Sequence, residues 1–417
     1  MALVLVTRST GLFSGRTLLR CRLTASTVLR VLYLGTLMSV PPLLHAQPTA
    51  EDAPPPSTLA ADMFETVTKL PVTVKDMYGK SIDGQMVLTH FKPPGDGPFP
   101  AVIMNHGRDS NQRANPSRYR YSDVARYWLR RGVAVFVPTR LGYGDSGMEQ
   151  DPEFTGECNS KNFDAAAAVT NVQTLATVEF AIKQPWVNPS KVILMGQSMG
   201  GFATVVAMGT KHPSVIAGIN FAGGSGGDAV NRKANPCGYH RVAATFEKAA
   251  KANGGSTPML WLYSENDNYW GPDIPRKWHT AYTGAGGKAE FAPFGPVSTD
   301  GHSLLAKGMS MWRPVLDQFV RLQGIAIPQA TGAPPASGFA AIGDASKLPL
   351  VKQDVKETGY VRFLALDLPR ALAIGPKGEW AFFSGENVIA RTLDRCAQTA
   401  KTACNLYAVD DNVVWQP

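Results

Sequence analysis

Strand-like and helix-like segments alternate from about residue 65 to 323, which predicts an α/β fold with a mostly parallel sheet covered by helices on both faces. Three observations carry that expectation. Runs such as "VAVFVPTR" and "KVILMG" are apolar without alternation, as strands buried on both faces are. "NFDAAAAVTNVQTLATVEFAIKQ" is too long for a strand and has helix-forming composition. In "VILMGQSMGGFATVVA" (192–207) an apolar strand meets Gly-Gln-Ser-Met-Gly and turns into a helix of small residues.

In order, "TVTKLPVTV" and "QMVLTHFKP" alternate apolar and polar residues and read as an opening antiparallel pair. "FPAVIMNHG" is a short buried strand. "YSDVARYWLRRG" has helical period, with Ser122 as its expected N-cap. The strand "VAVFVPTR", the long helix and "KVILMG" follow, and a further helix starts at Met199. "VIAGINFAG" and "PMLWLYSEND" are two more strands. Then come a helix near "PRKWHTAYTG", the strand "AEFAPFG" and a last helix, "LLAKGMSMWRPVLDQFVRL".

Two proline-rich stretches bracket this body. "QPTAEDAPPPSTLAA" belongs to a leader assigned to 47–64, and "IAIPQATGAPPASG" to a linker assigned to 325–339. The main α/β domain is expected over 65–324 and a small α+β domain over 340–417. Residues 1–46 hold five arginines and no acid, then about ten apolar residues and Ala46, the pattern of a cleaved signal peptide; an uncleaved anchor is the alternative. The expected location is therefore periplasmic or secreted. The net charge of +8 shrinks to +3 without that segment, 36 basic residues against 33 acidic, so composition makes no case for nucleic-acid binding. No later segment is apolar enough to predict a membrane span in the mature chain.

Cys158, Cys237, Cys396 and Cys404 remain after the signal, an even number that favours two disulfides in an exported chain. Three pairings are open; Cys158–Cys237 and Cys396–Cys404 are favoured. No cysteine spacing resembles a zinc site, and no metal or organic cofactor is implied.

The strand–turn–helix around Ser198 is the context in which Gly-x-Ser-x-Gly lifts a serine onto a sharp bend. The N–H of Met199, at a helix N-terminus, then faces a developing oxyanion. Such a serine needs a base. His302, in "STDGHSLLAKG", lies after the last strand and before the last helix. His106 in "NHG" is its rival by position, although a packed histidine beneath a turn is the simpler reading. His212, His240 and His279 are weaker candidates, and His45 and His90 are poorly placed. The acid expected to hold the base is Asp267, giving the order Ser198, Asp267, His302. Glu265 and Asp273 are rivals; Asp300 sits too close in sequence to His302, and Asp145 reads as a turn residue. A second oxyanion donor is expected from the N–H of Arg108 in "NHGRDSN". Its side chain, with Arg113, Arg118 and Arg120, either meets an acidic substrate or pairs with local acids.

"NHG", "PTRLGYGDSG", "GQSMGG", "SENDNYW" and "DGH", in this order over about 65–323, resemble the alpha/beta-hydrolase fold and its dienelactone hydrolase-like branch. The resemblance implies an eight-stranded, mostly parallel sheet, with Ser198 as nucleophile, Asp267 as acid, His302 as base and Met199 and Arg108 as oxyanion donors. Dienelactone hydrolases proper use cysteine as nucleophile, so serine here leans toward hydrolysis of other esters, small or polymeric. Residues 221–258 leave room for a small cap. The tail reads as two strands around a Pro-Lys-Gly turn, a helix and a closing strand, similar to modules that end exported bacterial proteins; its partner is open. Three readings compete: an exported ester hydrolase, a serine peptidase of the prolyl-peptidase type, and a non-catalytic binding protein. Prolyl peptidases often carry a large gating domain, and none is expected before residue 65.

Overall fold

A computed structural model of the chain describes residues 59–416 apart from 110, 327–331 and 386. The expected signal peptide and most of the leader lie outside these residues. The first part of the chain runs β1 (Thr66–Lys75), β2 (Ser81–Phe91), β3 (Phe99–Asn105), α1 (Ser122–Leu129), β4 (Ala134–Thr139), α2 (Phe163–Ile182), β5 (Val187–Gln197) and α3 (Met199–Met208). It continues through β6 (Val215–Phe221), α4 (Tyr239–Asn253), β7 (Met259–Ser264), α5 (Asp273–Gly284), β8 (Ala289–Phe294), α6 (Leu304–Lys307) and α7 (Met309–Leu322).

The eight strands form one sheet in the order β1-β2-β4-β3-β5-β6-β7-β8. β2 runs antiparallel to both of its neighbours, and every other pair is parallel. This is the alpha/beta-hydrolase fold. Side chains alternate across it with the two-residue period of a strand. On β5, Val192 and Leu194 enter one core with Phe202, Phe246, Trp261 and Trp278, while Ile193 and Met195 enter the other with Trp128, Trp312 and Leu316. Central strands thus need apolar residues at every position, which is why their sequences do not alternate.

Helix ends depart from expectation in two places. Ser122 is the first residue of α1 rather than its cap; Tyr121 precedes it in a left-handed conformation with no capping side chain. The last helix breaks at Gly308 into α6 and α7. α2 keeps its expected start, where the Asn162 side chain accepts the Ala165 N–H at 3.2 Å. Among the described residues α2 alone is long and apolar enough to cross a bilayer, and half of it is buried within the protein.

Residues 221–258 form no separate cap. They are a loop over 222–238 followed by α4, and Cys237 on that loop is bonded to Cys158. Cys396–Cys404 is the second disulfide, so both favoured pairings occur. The end of the leader is packed: Met63 is buried, and the Glu65 carboxylate accepts from Ala60 N–H (2.6 Å), Arg118 (2.6 Å) and Arg120 (2.7 Å).

The C-terminal region has its own antiparallel sheet. After a π-helical turn (Val355–Gly359) come α8 (Tyr360–Ala365), β9 (Arg370–Ile374), β10 (Trp380–Ser384), α9 (Val388–Ala400), β11 (Asn405–Val409) and β12 (Asn412–Val413), in the order β10-β9-β11-β12. The expected turn joins β9 to β10, but "YVRFLA" is helix and the closing strand is a hairpin. Its core is separate, around Tyr360, Phe363, Tyr407 and Trp415. It rests on the body of the eight-stranded sheet through Leu368, buried in the second core there, and through Asp367, which pairs with Arg130 and Arg313.

His90 shows what burial does to a titratable group here. It lies among Phe136, Phe180 and Trp186, and burial lowers its pKa to about 4. Folding therefore favours the neutral ring. That stability is complete above the unfolded value near 6.5 and is lost as pH falls toward 4. His90→Phe is expected to remove about one proton, or roughly 1.4 kcal/mol per pH unit, from the pH dependence of unfolding in that window. Denaturant titrations from pH 7 to 4 measure it; an unchanged slope would be the contrary result.

Candidate active site

Ser198 closes the turn from β5 to α3 with φ 56° and ψ −122°, a backbone conformation that side chains rarely adopt. The bend is fixed from outside: Ser198 N–H donates to Phe221 O (3.0 Å), and its carbonyl accepts from Phe202 N–H (3.0 Å) and Gly224 N–H (3.1 Å). Gly196 and Gly200 make room for it. A Cβ on Gly196 would stand 2.0 Å from Gly200 O, and one on Gly200 would stand 2.0 Å from Asn105 O. The helix N-terminus and the end of β3 are thereby brought against each other. Met199 opens α3, so its N–H has no carbonyl one turn back to receive it.

Asp267 lies on the loop after β7, 2% exposed. Its Oδ1 accepts the Tyr269 and Trp270 N–H groups at 2.8 and 3.2 Å. The His302 ring donates from Nδ1 to Asp267 Oδ2 at 3.0 Å and Oδ1 at 3.2 Å. A carboxylate only accepts, so Nδ1 carries the proton and Nε2 is left as the basic nitrogen. Tyr269 stacks on the imidazole with centroids 4.1 Å apart, and Trp270 meets it edge-on at 5.7 Å. The Gln197 amide donates to His302 O at 3.1 Å, tying the histidine loop to the residue before Ser198. Among the described residues the Ser198 hydroxyl makes no hydrogen bond to the imidazole. Such bonds are often long before substrate tightens them.

The rivals fall away by position. His106 is wholly buried and stacked on Tyr119 at 3.8 Å. Its Nδ1–H donates to Gly107 O (2.6 Å), and Nε2 accepts the Arg140 N–H (3.0 Å). Burial and the Arg140 charge push its pKa well below the usual value. With both nitrogens used, it is a packed histidine and not a free base. His212 pairs with Glu179, His279 with Ala289 O, and His240 packs edge-on to Tyr239. Glu265 is exposed, and Asp273 begins α5. Asp145 lies exposed in a turn.

Asp300 has a part that sequence adjacency did not reveal. Its Oδ1 accepts the His302 N–H (2.9 Å) and the Asn268 N–H (3.0 Å), binding the histidine loop to the aspartate loop. Tyr269 and Trp270 were also missed as supports of the imidazole; the aromatic pair two and three residues after Asp267 was the only available signal.

Arg108 lies in the loop three residues past the end of β3 and lines the same cleft as the serine. Its guanidinium is held by Asp151 (3.0 Å to Oδ1) and by Tyr143 (2.9 Å), with Glu153 at 3.8 Å. Although burial opposes the charge, these partners hold the Arg108 pKa above its ordinary value. Arg113 is spent on the carbonyls of Gly142, Glu149 and Gln150, while Arg118 and Arg120 grip Glu65. The basic loop thus pairs internally.

Ser198 opens into a cleft of about 870 Å³. One wall is the 151–161 segment, another the 224–232 loop, and Tyr269 and Trp270 close the end. The Cys158–Cys237 bond joins the two loop walls.

Residues 119–223 match the model of the prolyl oligopeptidase family, a span that holds Ser198 but stops short of Asp267 and His302. No curated protein matches the chain. Among solved structures, a Klebsiella pneumoniae protein assigned as a dienelactone hydrolase is 17% identical, with 62% of this chain and 98% of that one covered and a TM-score of 0.39. Est1E from Butyrivibrio proteoclasticus is 15% identical (61% and 98% covered, TM-score 0.40). Pyrococcus horikoshii acylaminoacyl peptidase is 17% identical (63% and 42% covered, TM-score 0.43). The chain thus spans nearly the whole of the first two proteins and less than half of the peptidase.

Asp300→Ala is expected to destabilise the protein by about 1–3 kcal/mol, because two backbone donors lose a charged acceptor. Asp300→Asn keeps an oxygen at the same place and should retain most of that stability. Equal losses in thermal melts of the two variants would contradict the bridging role.

Proposed function

Taking the chain as a member of the alpha/beta-hydrolase superfamily of serine hydrolases, we propose that it is an exported carboxylic-ester hydrolase of the dienelactone hydrolase-like kind, acting through Ser198, His302 and Asp267. The observation that carries this reading is the pairing of a buried, N–H-bonded Asp267 with His302 Nδ1, on a loop tied to the strained serine turn. His302 Nε2 takes the Ser198 proton as the oxygen attacks the ester carbonyl. Asp267 fixes the tautomer and stabilises the imidazolium. The N–H groups of Met199 and Arg108 hold the oxyanion. The imidazolium protonates the leaving alkoxide, and the base then activates water to release the acyl group. None of these steps calls for a metal or cofactor.

An alkoxide leaves more readily than an amine, so an ester places the smaller demand on this arrangement. The second reading, a serine peptidase, is favoured by the prolyl oligopeptidase match over residues 119–223. The proposal extends to the domain plan, with a signal over 1–46, a leader over 47–64, the hydrolase over 65–324, a linker over 325–339 and an accessory region over 340–417. The two disulfides agree with an oxidising destination.

Fluorophosphonate treatment of residues 47–417 is expected to give one adduct, on Ser198, absent in Ser198→Ala. Asp267→Asn should lower kcat on p-nitrophenyl esters by about 10⁴-fold, since it favours the wrong tautomer. Faster turnover of peptide anilides than of matched esters would select the peptidase reading, and failure to label folded protein would overturn both.

A further inference from the structure

The proposed oxyanion donor Arg108 N–H belongs to a peptide whose orientation must be set by something. Around the turn after β3, the neighbouring groups are already engaged. Gly107 N–H points to the Tyr121 hydroxyl at 3.4 Å. Gly107 O accepts from His106 Nδ1–H at 2.6 Å and from Arg140 Nη2 at 3.4 Å, while His106 O accepts from Arg140 Nη1 at 2.6 Å. In a trans peptide the carbonyl and N–H point in opposite directions. With Gly107 O held by His106 Nδ1–H and by Arg140, the Arg108 N–H is turned away from both. Gly107 also packs beside the serine: a Cβ there would lie 3.3 Å from Ser198 Cβ.

The guanidinium that does this is wholly buried. Glu153, 1% exposed, takes Arg140 Nε–H on one oxygen and Nη2 (3.3 Å) and Tyr143 O–H (2.8 Å) on the other. The Tyr143 oxygen in turn accepts from Arg108 Nη1. A buried ion pair is a poor source of net stability. This one has every strong donor directed at the backbone of one turn or at the carboxylate that neutralises it.

Building on the ester-hydrolase reading, we propose that Arg140, neutralised by Glu153, is the positioning residue of the oxyanion hole: it fixes and polarises the Gly107–Arg108 peptide so that Arg108 N–H meets the developing oxyanion. Arg140 touches no substrate. A bond from its cation to Gly107 O draws electron density from the peptide and strengthens the N–H as a donor.

The test compares an aryl ester with its thionoester analogue, whose sulfur accepts hydrogen bonds weakly. Parent, Arg140→Lys and Glu153→Gln are purified as residues 47–417 and checked for the parent's circular dichroism. Lysine keeps the charge but lacks the planar fork whose separate nitrogens reach the two carbonyls and Glu153. Arg140→Lys is expected to lower kcat on the oxoester by about 10²-fold, the size of effect of a lost oxyanion donor. The thionoester should suffer several-fold less, with KM within about threefold, so the oxo-to-thiono ratio falls. A merely structural role lowers both rates together and leaves the ratio fixed; that result overturns the proposal. If Arg140→Lys does not fold, Glu153→Gln decides by the same ratio, which must fall. A parent that turns over no ester, with or without Ser198, overturns the functional reading and the donor role with it. A parent that is active with an unmoved ratio overturns only Arg140.

Discussion

Three backbone segments meet at Ser198 more closely than any side chain between them would permit. The Gly196 and Gly200 positions leave 2.0 Å from an imagined Cβ to the facing carbonyl oxygens. Strain of the kind Ser198 carries costs about 1–3 kcal/mol and persists only where the surroundings over-determine it. Here the surroundings are the ends of β3, β5 and β6. Phe221 O receives the serine N–H, and Asn105 O lies against Gly200. The central sheet is buried on both faces and cannot shift to relieve the bend. The hydroxyl is held out because the core beneath it is rigid.

The loops around the serine are made rigid in a different way, by charges that are buried or, for Asp300, half-buried. Asp267, Asp300, Arg140 and Glu153 each spend their hydrogen bonds largely on backbone groups of neighbouring loops or on each other. Polar networks of this sort hold a loop in one arrangement only when every member is satisfied. The Cys158–Cys237 bond adds a covalent tie between the two loop walls of the cleft. Farther away, Arg131 and Tyr127 meet Asp317 in the second core and lock α1 to α7, the helix on which the C-terminal region rests.

Much of this was legible in one dimension where the signal is periodic or local. The unbroken apolar strands, the length of α2 and the glycines around Ser198 are all short-range patterns. So are the catalytic candidates at strand ends, because parallel sheets gather loops at the carboxyl edge of their strands. Ser122 was misjudged because capping depends on the backbone angle of the residue before the helix, which tertiary packing set at Tyr121. The break at Gly308 was masked by apolar residues on both sides. Residues 221–258, which leave room for a small cap, are a loop and a helix packed against α5, since composition cannot tell a covering loop from a small domain.

By itself the sequence determined the α/β class, the strand–turn–helix that exposes Ser198, the order of Ser198, Asp267 and His302, and the two disulfides favoured among three pairings. These depend on residue type and spacing along the chain. Tertiary structure alone decided that His106 is used up in packing, that Arg108 is neutralised, and that Asp300 braces the histidine loop. It also alone brought Arg140 and Glu153 beneath the turn at Gly107. The reason is physical: what a histidine or an arginine does depends on which partners desolvate and hydrogen-bond it. Those partners lie 13 to 43 residues away in the chain for Arg140 and Arg108, while Asp300 joins His302, two residues on, to Asn268, 32 residues back, and only the folded sheet brings them together.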